Sequence, residues 1–168
     1  MEDFLQQIEK ALNNNLYYLA LYSCLALPDI CAALSDPDGK TTGEKYRVWY
    51  DKNIVGQHVI TSHQCYKLRC SNLHQGHSQD PSMNLDRIMF ISPEYYNLTH
   101  NVFKNINFLD QNIKCIDLVN FCMQIVKSVR IWFNANSIIE PIKTNYSKFL
   151  KLYPDGFLPF FSGIPIIA

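Results

Sequence analysis

The chain has 168 residues, 48% hydrophobic and 18% charged, which is enough apolar surface for one packed core and leaves no compositional case for disorder. Lys plus Arg and Asp plus Glu number 15 each, for a net charge of zero and a pI near 6.9. That balance excludes a whole-molecule field drawing the protein onto nucleic acid or an anionic membrane, so any nucleic-acid contact must use a local patch.

The expectation is a single domain over residues 1–168, a mainly α-helical bundle with a small β-hairpin insertion and an extended tail. The N-terminus, Met1-Glu2-Asp3-Phe4, is acidic where a secretory signal needs basic residues, and the apolar stretch 16–34 is interrupted by Pro28 and Asp29. Neither a signal peptide nor a membrane span is expected, and a cytoplasmic location with no membrane partner follows. The six cysteines lie mostly in apolar, helix-like stretches, so reduced buried thiols are expected.

In chain order, Phe4, Ile8, Leu12, Leu16, Leu19 and Ala20 recur at helical spacing over residues 3–27, with Asp3 as N-cap and a break at Asn13-Asn14-Asn15. Pro28 is placed at the start of a new helix through Leu34, before the turn at Asp36-Pro37-Asp38-Gly39. Thr41 and Glu44 have capping-box spacing and open a helix with Tyr46, Val48, Trp49 and Tyr50 on its bulky side, ended by Gly56. Thr61 and Gln64 form a second capping box, and Gly76 is the expected left-handed C-cap of a helix over 61–75. The apolar run 85–91 reads as a strand bounded by Ser92-Pro93, with 106–109 as its hairpin partner, so the insertion spans about 85–109. From Ile113 to Trp132 a long apolar run is expected to be the central helix of the bundle. Residues 137–150 are a weaker helix candidate because of Pro141, and 153–168, with three prolines, reads as an extended tail packed on the body.

Chemistry-bearing residues are densest between His63 and His77, where three of five histidines and one of four arginines fall. Arg69 and His74 are five apart near a helix end, about 140° apart around the axis and about 7.5 Å along it. They meet if Arg69 bends toward the helix end, or if a two-fold partner brings its own copy alongside. A guanidinium grips phosphate oxygens and stays charged, while an imidazole moves a proton near neutrality; together they support transesterification at an RNA phosphate without metal. Metal binding is the other reading: Cys70 and His74 share a helix face, with His63, Cys65 and His77 near in sequence, although no Cys-x-x-Cys knuckle is present. The plain structural alternatives are an ion pair of Arg69 with Asp86 or Asp29, and contact of His74 with the last helical carbonyls. Cys65 and Cys70 are expected as small core residues, and Tyr46, Trp49 and Tyr50 as packing rather than base-stacking residues. No Gly-rich phosphate loop, Gly-x-Ser-x-Gly elbow or His-Glu-x-x-His helix occurs, which removes nucleoside triphosphatases, serine hydrolases of that type and zinc proteases.

The string Leu68-Arg69-Cys70-Ser71-Asn72-Leu73-His74-Gln75-Gly76 resembles the signature of the HEPN superfamily, an arginine followed after four to six residues by a histidine. With Leu27-Pro28-Asp29-Ile30-Cys31 and Arg87-Ile88-Met89-Phe90 it also resembles a group of uncharacterised bacterial proteins over about residues 16–92, a likeness that brings no assigned activity. The HEPN resemblance implies a helical bundle, usually dimeric, and for many members a metal-independent endoribonuclease of bacterial toxin or defence systems. It implies Arg69 and His74 as catalytic residues on single-stranded RNA, no cofactor, and a homodimer with an antitoxin or defence partner protein. Cys70 stands where the family commonly has Asn or Asp, so Ser71 and Asn72, with Gln75 and Tyr66, are the expected substrate-binding residues. Other members of the superfamily are non-catalytic, and a nucleotide- or RNA-binding or dimeric interaction module is the alternative.

Overall fold

The computed structural model describes residues 1–92, 104–108 and 111–168. Its framework is mainly helical. α1 (Glu2–Asn13) buries Leu5, Ile8 and Leu12 at spacings of three and four. Met1 occupies its N-cap position, and the expected cap Asp3 lies with Glu2 inside the first turn, where their charge suits the helix dipole. The chain breaks at the three asparagines, with Asn15 in the left-handed region at φ 59°.

α2 (Tyr17–Ser35) is continuous through Pro28, which does not begin a new helix. A buried interior proline costs a helix about 3 kcal/mol. The cost is offset by packing: α2 contacts α1 and α3 through α6, and Ala20, Leu21, Cys24, Leu25, Leu27, Cys31 and Leu34 are all buried. α2 is therefore the central helix, a place the apolar run after Ile113 was expected to take. It also has the length and apolarity of a membrane span, with mean hydropathy 1.5 over an 18-residue window, but 56% of that window is buried in the bundle, as in a core helix.

α3 (Gly43–Asn53) is capped by Thr42, which accepts from the Lys45 N–H at 3.2 Å. The cap falls one residue later than expected because Thr41 turns toward Asp29 instead, its Oγ1 3.5 Å from Oδ1. The helix also ends before Gly56, which serves the following turn at φ 83°. α4 (Ser62–Gln75) has both expected ends: the reciprocal Thr61–Gln64 box, and Gly76 at φ 70°.

After a short 3-10 turn over Pro81–Met83 come β1 (Arg87–Ile91), β2 (Lys104–Phe108) and β3 (Gln111–Asp117) in the order β1-β3-β2. β3 pairs parallel with β1 and antiparallel with β2. The expected hairpin between 85–91 and 106–109 is thus replaced: β1 and β2 are not neighbours, and the central strand is the segment assigned to the start of a helix. Pro93, Leu109 and Asp110 lie outside the described residues. β3 reaches from exposed Gln111 to buried Asp117, whose side chain accepts from the Asn120 N–H at 2.8 Å and starts α5 (Leu118–Asn136). That N-cap marks the true boundary; apolar content alone hides it, because a buried strand and a buried helix look alike in a short run.

Residues 137–150 contain α6 (Ile142–Tyr146), only five residues long. The tail forms a two-stranded ribbon of β4 (Leu152–Tyr153) and β5 (Ile166–Ile167) and packs on itself more than on the body: Phe157 lies 4.8 Å from Tyr153 and 6.1 Å from Phe160 between ring centroids. Leu158 and Phe160 remain 74% and 72% exposed. The helices share one apolar core that runs from Leu5 through Leu25, Tyr46, Leu68 and Phe121 to Ile142.

Candidate functional site

α4 carries the site because its buried stripe, Cys65, Leu68 and Ser71, fixes its rotation against α2 and α3. Arg69 then falls at the edge of the stripe facing α2. Its Nε is 2.6 Å from Asp29 Oδ2, with the two side chains 23% and 13% exposed. The Nε–H does not point along this contact, so it is an ion pair without an aligned hydrogen bond. The other expected partner, Asp86, is 2.5 Å from the Asn112 N–H across the sheet.

The Arg69 side chain bends toward the C-terminal end of α4, and Nη1 lies 3.4 Å from His74 Nε2. Two residues on different faces of one helix therefore meet within a single chain. A guanidinium can only donate, so in this contact His74 Nε2 is on the accepting side. Burial works against the Arg69 charge, but the Asp29 carboxylate and Cys70 outweigh it and hold the guanidinium above its ordinary value. Burial pushes the Asp29 carboxyl up, with Arg69 and Thr41 opposing. His74 is exposed and Arg69 half-buried, so a fixed cation and an accessible imidazole sit side by side at the surface.

The other expected site residues divide. Asn72 is half-buried one turn beyond Arg69, and Gln75 is exposed at the helix end. Ser71 is 3% exposed and faces the core, so its hydroxyl is not at the Arg69–His74 surface. The reason is periodicity: Ser71 follows Leu68 by three residues on the stripe that packs inward. Tyr66 packs over the start of α3, its ring 5.3 Å from Tyr46 and under the Arg47 guanidinium at 5.7 Å. A Cβ on Gly43 would meet the Tyr66 ring at 2.6 Å, so the ring rests directly on that backbone.

Among the described residues no three His, Cys, Asp or Glu side chains gather as metal ligands. His63 Nε2 is 3.0 Å from the Ser82 carbonyl, and His77 Nδ1 accepts from the Gln79 N–H at 3.4 Å. Cys65 is fully buried, 3.2 Å from the Tyr46 hydroxyl, and burial pushes its thiol up to about 12. It is an inert core thiol, and Tyr46, Trp49 and Tyr50 are core residues as expected.

Comparison with protein families, with curated proteins and with solved structures finds no match to this chain. In the sequence Asp29 is one of two carboxylates available to Arg69, and helix packing selects it.

Proposed function

We propose that the protein is a HEPN-like, metal-independent endoribonuclease acting on single-stranded RNA, a cytoplasmic component of a bacterial toxin or defence system that pairs with a second copy and a partner protein. The observation that supports this is the 3.4 Å approach of Arg69 Nη1 to His74 Nε2 beside an accessible surface. Arg69, held by Asp29, grips the nonbridging oxygens of the scissile phosphate and stabilises the charge that develops on them. His74 Nε2 takes the proton of the ribose 2′-hydroxyl, whose oxygen forms a bond to phosphorus as the bond to the 5′-oxygen breaks. The proton passes to that leaving oxygen, and the product is a 2′,3′-cyclic phosphate.

The test is cleavage of end-labelled single-stranded RNA in EDTA by the wild type, Arg69→Ala and His74→Ala. Cleavage by the wild type, reduced by about two to four orders of magnitude in each variant, is expected. A folded wild type that does not cleave overturns the proposal.

One observation favours a non-catalytic interaction module instead: Asp29 already offsets the Arg69 charge, so the pair also serves to pin α2 to α4. In that reading His74→Ala changes dimer stability or ligand affinity, and no cleavage accompanies either.

A further inference from the structure

A cleft of about 610 Å3 opens between the first turns of α2, the end of α4 and β1. Such a volume suits a ligand of nucleotide size. It lies on the same helix seam as the Arg69–Asp29 pair. From Asp29 back to Tyr22 α2 runs seven residues, about 10 Å, before the cleft is reached, and on the antiparallel α4 the cleft begins three residues beyond Arg69. Asn72, one turn beyond Arg69, forms part of its wall.

The lining combines aromatic rings with polar groups whose hydrogen bonds go to neutral partners. Tyr18 and Tyr22 stand one turn apart on α2, Tyr18 with 79% of its surface exposed. Opposite them, Arg87 on β1 is held by a neutral group: the Gln79 carboxamide, turned so that its oxygen faces the guanidinium, accepts from Nη2 at 2.8 Å and from Nε at 3.2 Å. Among the described residues no carboxylate pairs with Arg87, and the partner that holds its guanidinium is neutral. His77 also lines the cleft and, with Nδ1 accepting from the Gln79 N–H, presents Nε2 as a donor in its neutral form.

We infer that this cleft binds a nucleoside phosphate, its base against Tyr18 and Tyr22 and its phosphate on Arg87 and His77. Rings supply stacking that tolerates any base, and a neutral-held arginine supplies charge to a phosphate. The local patch replaces the attraction that the zero net charge withholds. The inference rests on the ribonuclease reading only in making this unit a neighbour of the scissile phosphate.

The test is fluorescence anisotropy with a short fluorescein-labelled 2′-O-methyl oligoribonucleotide, which cannot be cleaved, in EDTA. Wild type is compared with Tyr18→Ala and Arg87→Ala, both exposed substitutions whose folding is checked by circular dichroism. Each is expected to weaken binding about tenfold, and Arg87→Ala also to flatten the salt dependence. No binding by folded wild type, or affinities within about twofold across the three proteins, overturns the inference. Unlabelled adenosine 5′-monophosphate is then added as competitor. Displacement at similar affinity identifies a free nucleotide as the ligand, and failure to displace identifies a strand. Binding that depends on Tyr18 and Arg87 while the wild type cleaves nothing refutes the ribonuclease and leaves the cleft standing.

Discussion

Asp29 sets the behaviour of Arg69, and the pairing has a signature in stability. A carboxylate beside a guanidinium ordinarily titrates low, yet here burial outweighs the cation and the Asp29 carboxyl is raised. The folded state thus binds this proton more tightly than the unfolded state. The contribution of Asp29 to stability is fully present below its unfolded value and is lost as pH rises through its folded value. Asp29→Asn keeps the shape without the ionisation, so the stability of the variant minus that of the wild type should grow as pH rises from about 3 to about 7. Urea unfolding across that range reads it, and a flat difference or one of opposite sign contradicts the stated balance. Arg69 and His74 were legible as a pair of residue types at a fixed spacing. Their contact was not, because it depends on the bend of the Arg69 side chain, and that bend follows from where α2 places Asp29.

α4 shows how far local chemistry goes at the scale of an element. Its start and end are written in three residues, Thr61, Gln64 and Gly76, and its rotation in the stripe that Leu68 centres. Thr61→Ala removes a side-chain acceptor for the Gln64 N–H and should cost about 1 kcal/mol. Gly76→Ala meets no atom within 4 Å, so its cost, also about 1 kcal/mol, comes from the left-handed backbone alone. Both are read as a lower urea midpoint at unchanged slope. β3 shows the opposite case. Ile113, Cys115 and Ile116 fit a helix or a strand, and pairing with β1 and β2 on either side resolves the ambiguity through hydrogen bonds between residues far apart in the chain.

Across the whole molecule, stability rests on α2 and the helices around it. Phe121 on α5 is fully buried, 5.4 Å from Phe90, and ties the sheet to the bundle. Phe121→Ala should cost about 3–5 kcal/mol, read by urea unfolding, whereas an exposed change such as Leu158→Ala should stay within about 0.5 kcal/mol. The mainly helical class, the end of α1 at the asparagines, the framing of α4, the aromatic core and the Arg69–His74 candidate follow from periodicity, capping and residue chemistry, all of which act within a few residues. The continuity of α2 through Pro28, the order β1-β3-β2, the inward turn of Ser71, the choice of Asp29 over Asp86 and the cleft beside β1 arise from packing. Each depends on which distant surfaces meet, and the free energy of those contacts exceeds the local preferences that point elsewhere.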